Sequence, residues 1–254
     1  MVVAGNCLFV ESENTKLLID AGVSLKKIEA GLETLGILPS DLDAILVTHE
    51  HSDHIQSLGN LSRKFNLPVY ANQETLDSMP KQTDKIASEN INKFKIKENF
   101  SINDFEICAF EIPHDAANPC GFTISCNNDK ISIATDIGHV TPNIIKHLEG
   151  SKFVLLESNY DNNVLKYSKY PFSLKQRIAG PNGHLSNESA SKVINYLLHD
   201  NLQTAMLGHL SKESNFPELA YQTVVNEIIN SGNDVSKINL SVANRDKTSK
   251  LIHI

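Results

Sequence analysis

The sequence predicts a layered α/β (α+β) fold, because segments with strand character alternate with segments that have helical spacing. Four short apolar or β-branched runs end in a polar or acidic residue or are directly followed by one, as buried strands often are: residues 17–20, 44–48, 131–135 and 153–156. Between residues 94 and 135 the predicted strands follow one another closely, which indicates an antiparallel meander with a hairpin turn at Asn127-Asn128-Asp129. Periodicity alone does not choose among the folds of this class.

Three segments with apolar residues at helical spacing lie between or after these strands: residues 25–35, 55–65 and 190–197. The third has a well-defined start, because Ser186 can cap its first turn and Leu185 can pack back against it. Towards the end of the chain we expect one further helix, over residues 217–231, followed by closing strands.

The composition is that of an ordinary globular protein, with 41% hydrophobic and 21% charged residues in a chain of 254. We expect a single domain over residues 1–254, since no change in composition indicates a linker. No apolar run approaches the ~20 residues of a bilayer span and no charged leader is present, so we expect no membrane association and a cytoplasmic location. The net charge of −7 argues against a passive nucleic-acid coat, but metal ions and a small basic patch would still allow a nuclease to bind phosphate.

The segment after the strand at residues 44–48 has the pattern H-x-H-x-D-H, formed by His49, His51, Asp53 and His54. Alternate residues of an extended loop point the same way, so His49, His51 and Asp53 can converge, whereas the adjacent Asp53 and His54 diverge. This divergence suits two metal ions better than one, because a single short loop can then serve both ions. The alternative is a solvated polar turn, which is the usual environment of a lone loop histidine.

This motif resembles the second signature of metallo-β-lactamase-fold hydrolases, and the other signatures follow in order. They are residues 18–22 with Asp20, Pro113-His114, residues 134–136 with Asp136, and residues 207–211 with His209. The resemblance implies the fold, a four-layer αβ/βα metallo-β-lactamase sandwich. It also implies two sets of metal ligands joined by a bridging Asp136: His49, His51 and His114 for one ion, and Asp53, His54 and His209 for the other.

Imidazole and carboxylate ligands without thiolates suit Zn²⁺, Mn²⁺ or Fe²⁺. The expected cofactor is therefore two divalent transition-metal ions (Zn, Mn or Fe), and Asp53 is expected to be essential for catalysis. A metal pair of this kind lowers the pKa of a shared water towards neutrality and creates a hydroxide nucleophile. Hydrolysis is the expected reaction.

Several branches of the family fit this chain less well. Secreted β-lactamases lack a histidine at the position of His54, and flavodiiron oxygen reductases usually have Glu where His51 stands. Glyoxalase II proteins add a C-terminal helical region for glutathione. The β-CASP nucleases insert a large domain before the last histidine, and the stretch from Asp136 to His209 is too short for one.

Three further residues favour phosphodiester chemistry. Glu157 ends a predicted strand and His184 lies in Gly-His-Leu-Ser before the capped helix, and together they resemble the proton relay of tRNA 3′-processing nucleases. The alternative is a strand-end glutamate beside an unrelated loop histidine. Arg177 is the candidate for substrate binding, because arginine pairs bidentately with phosphate, and a surface salt bridge is its alternative.

A narrower resemblance is to the YycJ/WalJ (VicX) exonuclease group. It rests on Gly5-Asn6-Cys7 and on residues 48–54, 114–119, 134–136, 183–188 and 209–213. It implies a bacterial cytoplasmic enzyme that degrades double-stranded DNA in the 5′ to 3′ direction, often with Mn²⁺. Only residues 1–4 precede Gly5-Asn6, so a shortened first strand and reduced stability are expected. Two alternatives remain open: a small-molecule phosphodiesterase or thioesterase that uses the same metals, and a non-catalytic metal-binding partner of a regulatory complex.

Overall fold

A computed structural model describes residues 6–80, 86–198, 201–245 and 247–254. The shortened first strand expected before Gly5-Asn6 lies outside these residues. Within the described part of the chain, the strands form two sheets with helices on their outer faces. The same part of the chain contains no helix that combines the length and the apolar character of a membrane span.

The first sheet has five strands in sequential order, with β1 and β2 antiparallel and the remaining neighbours parallel. Its strands are β1 Leu8–Glu11, β2 Lys16–Ile19, β3 Ala44–Leu46, β4 Val69–Ala71 and β5 Ile91–Lys93. Every residue of β3 is buried, because helices cover one face of this sheet and the second sheet covers the other.

The second sheet has seven strands in the order β12-β11-β10-β9-β8-β7-β6. Its strands are β6 Asn99–Ile102, β7 Phe105–Glu111, β8 Cys120–Cys126, β9 Asp129–Ala134, β10 Phe153–Glu157, β11 Thr204–Gly208 and β12 Asn239–Val242. Strands β6 to β9 form the predicted antiparallel meander, whereas β9 to β12 are parallel. Closing strands are expected after the last helix, and the described residues there contain one strand, β12.

The helices are α1 Leu25–Glu33, α2 Ser52–Ile55, α3 Leu58–Phe65, α4 Gln73–Ser78, α5 Pro142–Leu148, α6 Asn162–Tyr167, α7 Phe172–Ile178, α8 Asn187–Leu197 and α9 Pro217–Asn230. Helix α8 begins as predicted, because the Ser186 side chain accepts a hydrogen bond from the backbone N–H of Ser189. The helix expected over residues 55–65 is instead broken into α2 and α3. The break is held by Ser57, whose backbone N–H and hydroxyl donate to the carbonyls of Ala21 and Val23.

Three apolar layers confirm the four-layer arrangement. Successive residues of a strand face opposite sides of its sheet, so Leu17 and Ile19 of β2 point towards the second sheet, while Leu18 points towards α1 and α3. The outer face of the second sheet packs against α5, α8 and α9. The two sheets therefore end side by side at one edge of the molecule, and the site lies there.

Candidate metal centre

The predicted ligands meet where strands from both sheets end. His49 follows β3 of the first sheet, whereas His114, Asp136 and His209 follow β7, β9 and β11 of the second. All four residues are buried. Neighbouring parallel strands present their carboxyl ends at the same edge of a sheet, so residues distant in sequence converge there.

Backbone strain occurs at three of the positions where a strand turns into the site. Asp20, Asp136 and His209 have φ angles of 61°, 59° and 57°. These values lie in the left-handed region, which side chains other than glycine seldom adopt and which persists only where the surrounding structure holds it. Asp20 and His209 directly follow β2 and β11, and Asp136 lies two residues after β9, so each sharp turn directs a side chain towards the centre instead of along the sheet.

The first set of predicted ligands is assembled from one loop and one strand end. Nitrogen atoms of His49, His51 and His114 lie within 4.8 Å of one another. His51 Nδ1 is 3.1 Å from His49 Nε2 and 3.3 Å from His114 Nε2. This separation is small enough for one cation to be held by all three rings.

The second set lies beside the first and shares Asp136 with it. Ligand atoms of Asp53, His54 and His209 are within 4.8 Å of one another. Asp136 Oδ2 is 3.1 Å from His54 Nε2, and its Oδ1 lies 3.5 Å from His114 Nε2 and 3.6 Å from His209 Nε2. Asp136 therefore contacts both sets, as a bridging carboxylate would.

Hydrogen bonds outside the centre orient three of the rings in the same way. The Nδ1 atoms of His54, His114 and His209 donate to Asp20 Oδ2 at 2.7 Å, to the Gly183 carbonyl at 2.9 Å and to Glu157 Oε1 at 2.6 Å, respectively. A neutral imidazole that donates through Nδ1 keeps a lone pair on Nε2. In each of these rings, Nε2 faces the centre and is available to a metal ion.

Two buried atoms support the fit of a metal. The buried side-chain atoms of the described residues that make no hydrogen bond include His209 Nε2 and also Asp136 Oδ2, whose contact with His54 Nε2 is an ion pair at 3.1 Å. A buried polar atom is costly unless something binds it. Imidazole nitrogens and carboxylate oxygens are the donors that divalent transition metals accept, so these residues fit such ions.

The charges of the buried side chains in the cluster also favour a bound cation. Burial disfavours a charged His54, but Asp136 and Asp20 outweigh it and raise the pKa of His54 to about 10. Burial and the neighbouring His54 instead lower the pKa of His49. The buried carboxylates thus stabilise positive charge inside the cluster, and a cation competes with protons for the same nitrogens.

Glu157 and His184 form the pair that the sequence predicts, and Glu157 has a second partner. Glu157 Oε1 accepts from His184 Nδ1 at 2.9 Å and also from His209 Nδ1. Its Oε2 accepts the backbone N–H groups of Ile137 and Leu185. Burial would raise the pKa of Glu157, but His184 and His209 lower it, so it remains an anion that orients both rings.

Arg177 lies in α7 on the wall of the pocket that contains the cluster. Its Nε donates to Asp115 Oδ2 at 2.6 Å, which is the surface salt bridge that sequence analysis left as the alternative. Asp115 Oδ1 is in turn 3.4 Å from His114 Nε2. Arg177 therefore stands one side chain away from the first set of ligands.

Sequence reasoning assigned no role to three residues that the structure places against the site. Asn6 Nδ2 is 2.8 Å from His54 Nε2, and Asp115 connects Arg177 to His114. The Thr48 hydroxyl donates to Asp20 Oδ2 at 2.8 Å and lies 3.0 Å from His49 Nδ1. Each lies within a motif quoted above, but nothing in the local sequence shows which polar residues of the motif turn inward.

Two adjacent clusters able to hold metal ions, at the joined edge of an αβ/βα sandwich, form a site of the metallohydrolase kind. Residues 15–209 match the family described as the beta-lactamase superfamily domain. The exodeoxyribonuclease WalJ of Streptococcus pneumoniae serotype 2 is 38% identical over 227 residues, which cover 89% of this chain and 84% of that protein. The exodeoxyribonuclease YycJ of Bacillus anthracis is 38% identical over 220 residues, covering 87% of this chain and 83% of the relative.

The chain therefore belongs to the beta-lactamase superfamily and, within it, to the family that WalJ and YycJ represent. Solved structures agree on the fold. The metallo-beta-lactamase fold protein YhfI from Bacillus subtilis superposes with a TM-score of 0.69 at 17% identity, covering 95% of this chain and 90% of its own. Zn(2+)-bound PqqB from Methylobacterium extorquens also has a TM-score of 0.69, at 16% identity, with 96% of this chain and 86% of that chain covered.

Proposed function

We propose that this protein is a metal-dependent phosphodiester hydrolase that degrades double-stranded DNA from its 5′ ends with two divalent transition-metal ions. One observation carries the proposal: two adjacent ligand sets joined by Asp136 occur in a chain 38% identical to two exodeoxyribonucleases. In this proposal His49, His51 and His114 hold one ion. Asp53, His54 and His209 hold the other, and the ions are Zn, Mn or Fe.

Metal ions held by these residues would supply a water-derived nucleophile at neutral pH and would withdraw charge from a phosphate. The protein's own task is then to hold substrate and move protons. His184 lines the pocket, and Glu157 accepts its Nδ1–H and so fixes the ring. We assign His184 the role of giving a proton to the departing oxygen, because an alkoxide is a poor leaving group without one.

Arg177 is proposed to bind a substrate phosphate at the mouth of the pocket. Its side chain is 58% exposed, so a phosphate can reach the guanidinium while Nε stays on Asp115. The fork of an arginine has further donors for phosphate oxygens. Asp115 would then orient Arg177, because it fixes the direction of the guanidinium plane.

Two further parts of the proposal concern the whole chain. Because both sheets supply ligands, we propose that residues 1–254 act as one domain. Because DNA is the proposed substrate, we place the protein in the cytoplasm.

The proposal is tested by incubating the protein with Mn²⁺ and matched linear and covalently closed circular duplexes. We expect the linear DNA to be degraded from its 5′ ends and the circles to remain intact. Asp53→Ala should abolish the activity, since Asp53 belongs to the second ligand set.

Equal rates on both DNA forms, or cleavage of bis-p-nitrophenyl phosphate alone, would leave a metallohydrolase that is not this exonuclease. An unaffected regulatory activity in the Asp53→Ala variant would instead indicate a non-catalytic metal-binding partner.

A further inference from the structure

The two short helices α6 and α7 carry a surface that the catalytic proposal does not use. Tyr167 and Phe172 are 77% and 75% exposed, the highest values among the large hydrophobic side chains of the described residues. Lys166 and Lys169 are exposed beside them. We call these four residues the aromatic-basic surface.

This surface is positively charged in a protein of net charge −7. Residues 162–187 contain Lys166, Lys169, Lys175 and Arg177 and neither aspartate nor glutamate. Lys166 Nζ lies 5.3 Å from the centre of the Tyr167 ring, within the range of a cation–π contact. The charge therefore complements a polyanion, and the exposed rings add flat apolar faces.

The surface continues into the metal centre. Helix α7 contributes Leu174, Arg177 and Ile178 to the wall of the pocket that contains the ligands. Tyr167, at the end of α6, and Lys169, just after this helix, line a second groove together with Glu213 from the loop after β11. Because α7 carries both Phe172 and these pocket residues, the aromatic-basic surface lies beside the candidate metal centre.

The exposed rings are not needed to pack these helices. Tyr160, Leu165 and Ile178 form a small core beneath α6 and α7. Lys175 Nζ ties the helices together by donating to the carbonyls of Lys166 at 2.8 Å and Ser168 at 2.7 Å. Tyr167 and Phe172 lie on the outside of this pair of helices. Their rings are exposed to solvent and contribute little to the packing of the small core.

We propose that the aromatic-basic surface binds an unpaired, single-stranded segment of DNA next to the metal centre. Tyr167 and Phe172 stack on bases, Lys166 and Lys169 contact phosphates, and the Glu213 carboxylate can accept from an exocyclic amino group of a base. Stacking rings beside basic side chains are the general means by which proteins hold single strands without sequence preference. This inference rests on the proposed function, since it names how that substrate is held.

The test measures binding separately from cleavage. Metal-loaded protein is titrated against a fluorescent duplex that has a short single-stranded 5′ extension with phosphorothioate linkages. Tyr167→Ala combined with Phe172→Ala should weaken binding by about tenfold or more, because each stacked base contributes on that order. A blunt duplex should lose less. Lys166→Gln combined with Lys169→Gln should reduce the slope of log affinity against log salt by roughly 0.7 per lysine.

Tyr196→Ala is the matched control. Tyr196 is 53% exposed on α8 and donates to Glu149, which precedes β10 and so lies at the edge of the sheet opposite the site. The Tyr196→Ala change should leave DNA binding unchanged, and the Tyr167 and Phe172 variants should keep wild-type hydrolysis of bis-p-nitrophenyl phosphate.

Wild-type DNA affinity in the double aromatic variant would overturn the inference even if the protein proves to be an exonuclease. A changed oligomeric state with unchanged DNA affinity would also overturn it and assign the surface to a second copy of the chain.

Discussion

At the scale of single residues, the site depends on which nitrogen of each histidine carries the proton. Asp20 and Glu157 accept from the Nδ1 atoms of His54 and His209, and both carboxylates are buried. The Nε2 atoms are thereby left as acceptors that face the centre. Glu157 also holds His184, so one carboxylate orients a proposed ligand and the proposed proton donor together.

His184→Ala should lower kcat on DNA by about 10² to 10⁴, the usual contribution of a general acid. The metal content and the affinity for DNA should stay near wild type. A p-nitrophenyl phosphodiester has a leaving group that needs little protonation, so the variant should cleave it at nearly the wild-type rate. The comparison of kcat on the two substrates, with metal analysis of the same samples, checks this prediction.

Two results would contradict the general-acid role of His184. Loss of metal together with activity would make it a ligand, and its contact with Glu157 and Asp136 gives it suitable neighbours for that role. An equal loss of rate on both substrates would show that its proton is not used by the leaving group.

At the scale of elements, the loop after β2 is packed directly onto the loop that carries His49 to His54. The Gly22 N–H donates to the Asn6 carbonyl, and the N–H groups of Asn6 and Ala21 donate to the carbonyls of Asp53 and His54, all at 2.7 Å. A Cβ atom at Gly22 would lie 1.6 Å from the Asp53 carbonyl oxygen. Glycine is required here because two backbones approach each other closely.

Gly22→Ala should therefore displace Asp53 and His54 and lower the metal content of the purified protein. Gly31→Ala is the matched control, because Gly31 lies within α1 and a Cβ there would meet only the Thr248 side chain at 3.3 Å. That control should keep its metal and gain a little helix stability. Metal analysis of both variants makes the comparison, and full occupancy in Gly22→Ala would show that the contact does not position the ligands.

The turn between β6 and β7 is tied to the β1–β2 hairpin through Asp104. Its carboxylate accepts from the hydroxyls of Ser12 and Thr15, and these bonds connect the two sheets at an exposed edge. Hydrogen bonds from Thr15 and Ser12 lower the pKa of Asp104 from 3.8 to about 2.

Asp104→Asn should therefore lower the melting temperature at neutral pH. A carboxylate with a lowered pKa in the folded state stabilises the protein above its ordinary pKa, and this contribution is lost as the pH falls through the folded value. The difference between wild type and variant should thus shrink between about pH 4 and pH 2. Thermal melts across this range test the assignment, and a difference that does not change with pH would mean that the charge of Asp104 is not responsible.

At the scale of the whole molecule, the site joins the two sheets. The first sheet and its loop supply His49, His51, Asp53 and His54, whereas the second sheet supplies His114, Asp136 and His209. A metal ion that binds ligands from both sheets binds the folded chain and not the unfolded one. In the proposed site, metal binding and folding would therefore be coupled.

Adding Mn²⁺ or Zn²⁺ to the metal-stripped protein should raise its melting temperature. An ion at about a hundred times its dissociation constant stabilises a folded protein by about 2.7 kcal/mol, which corresponds to roughly 5–10 °C for a chain of this size. Asp136→Asn should reduce this shift, whereas Arg177→Ala, a change outside the ligand sets, should preserve it. Scanning calorimetry with and without a chelator measures the effect, and an unchanged melting temperature at saturating metal would refute the assigned site.

The sequence by itself indicated the fold class, several of the strands and helices, and all seven ligand candidates. Buried strands and amphipathic helices leave periodic patterns, and the candidate ligands between His49 and His54 lie in one loop, so local spacing was sufficient to propose them. His114, Asp136 and His209 followed from their order beside that motif at strand ends. These features depend only on residues close to each other in the chain or on the order of the strands.

Only the tertiary structure decided the contacts that cross between elements. It showed that Glu157 holds His209 as well as His184, that Asp115 pairs with Arg177, and that Ser57 ends α2 by bonding to the loop after β2. Each of these contacts joins residues far apart in sequence. Their partners are set by strand register and by how the two sheets pack, and a local pattern of residue types carries no information about either.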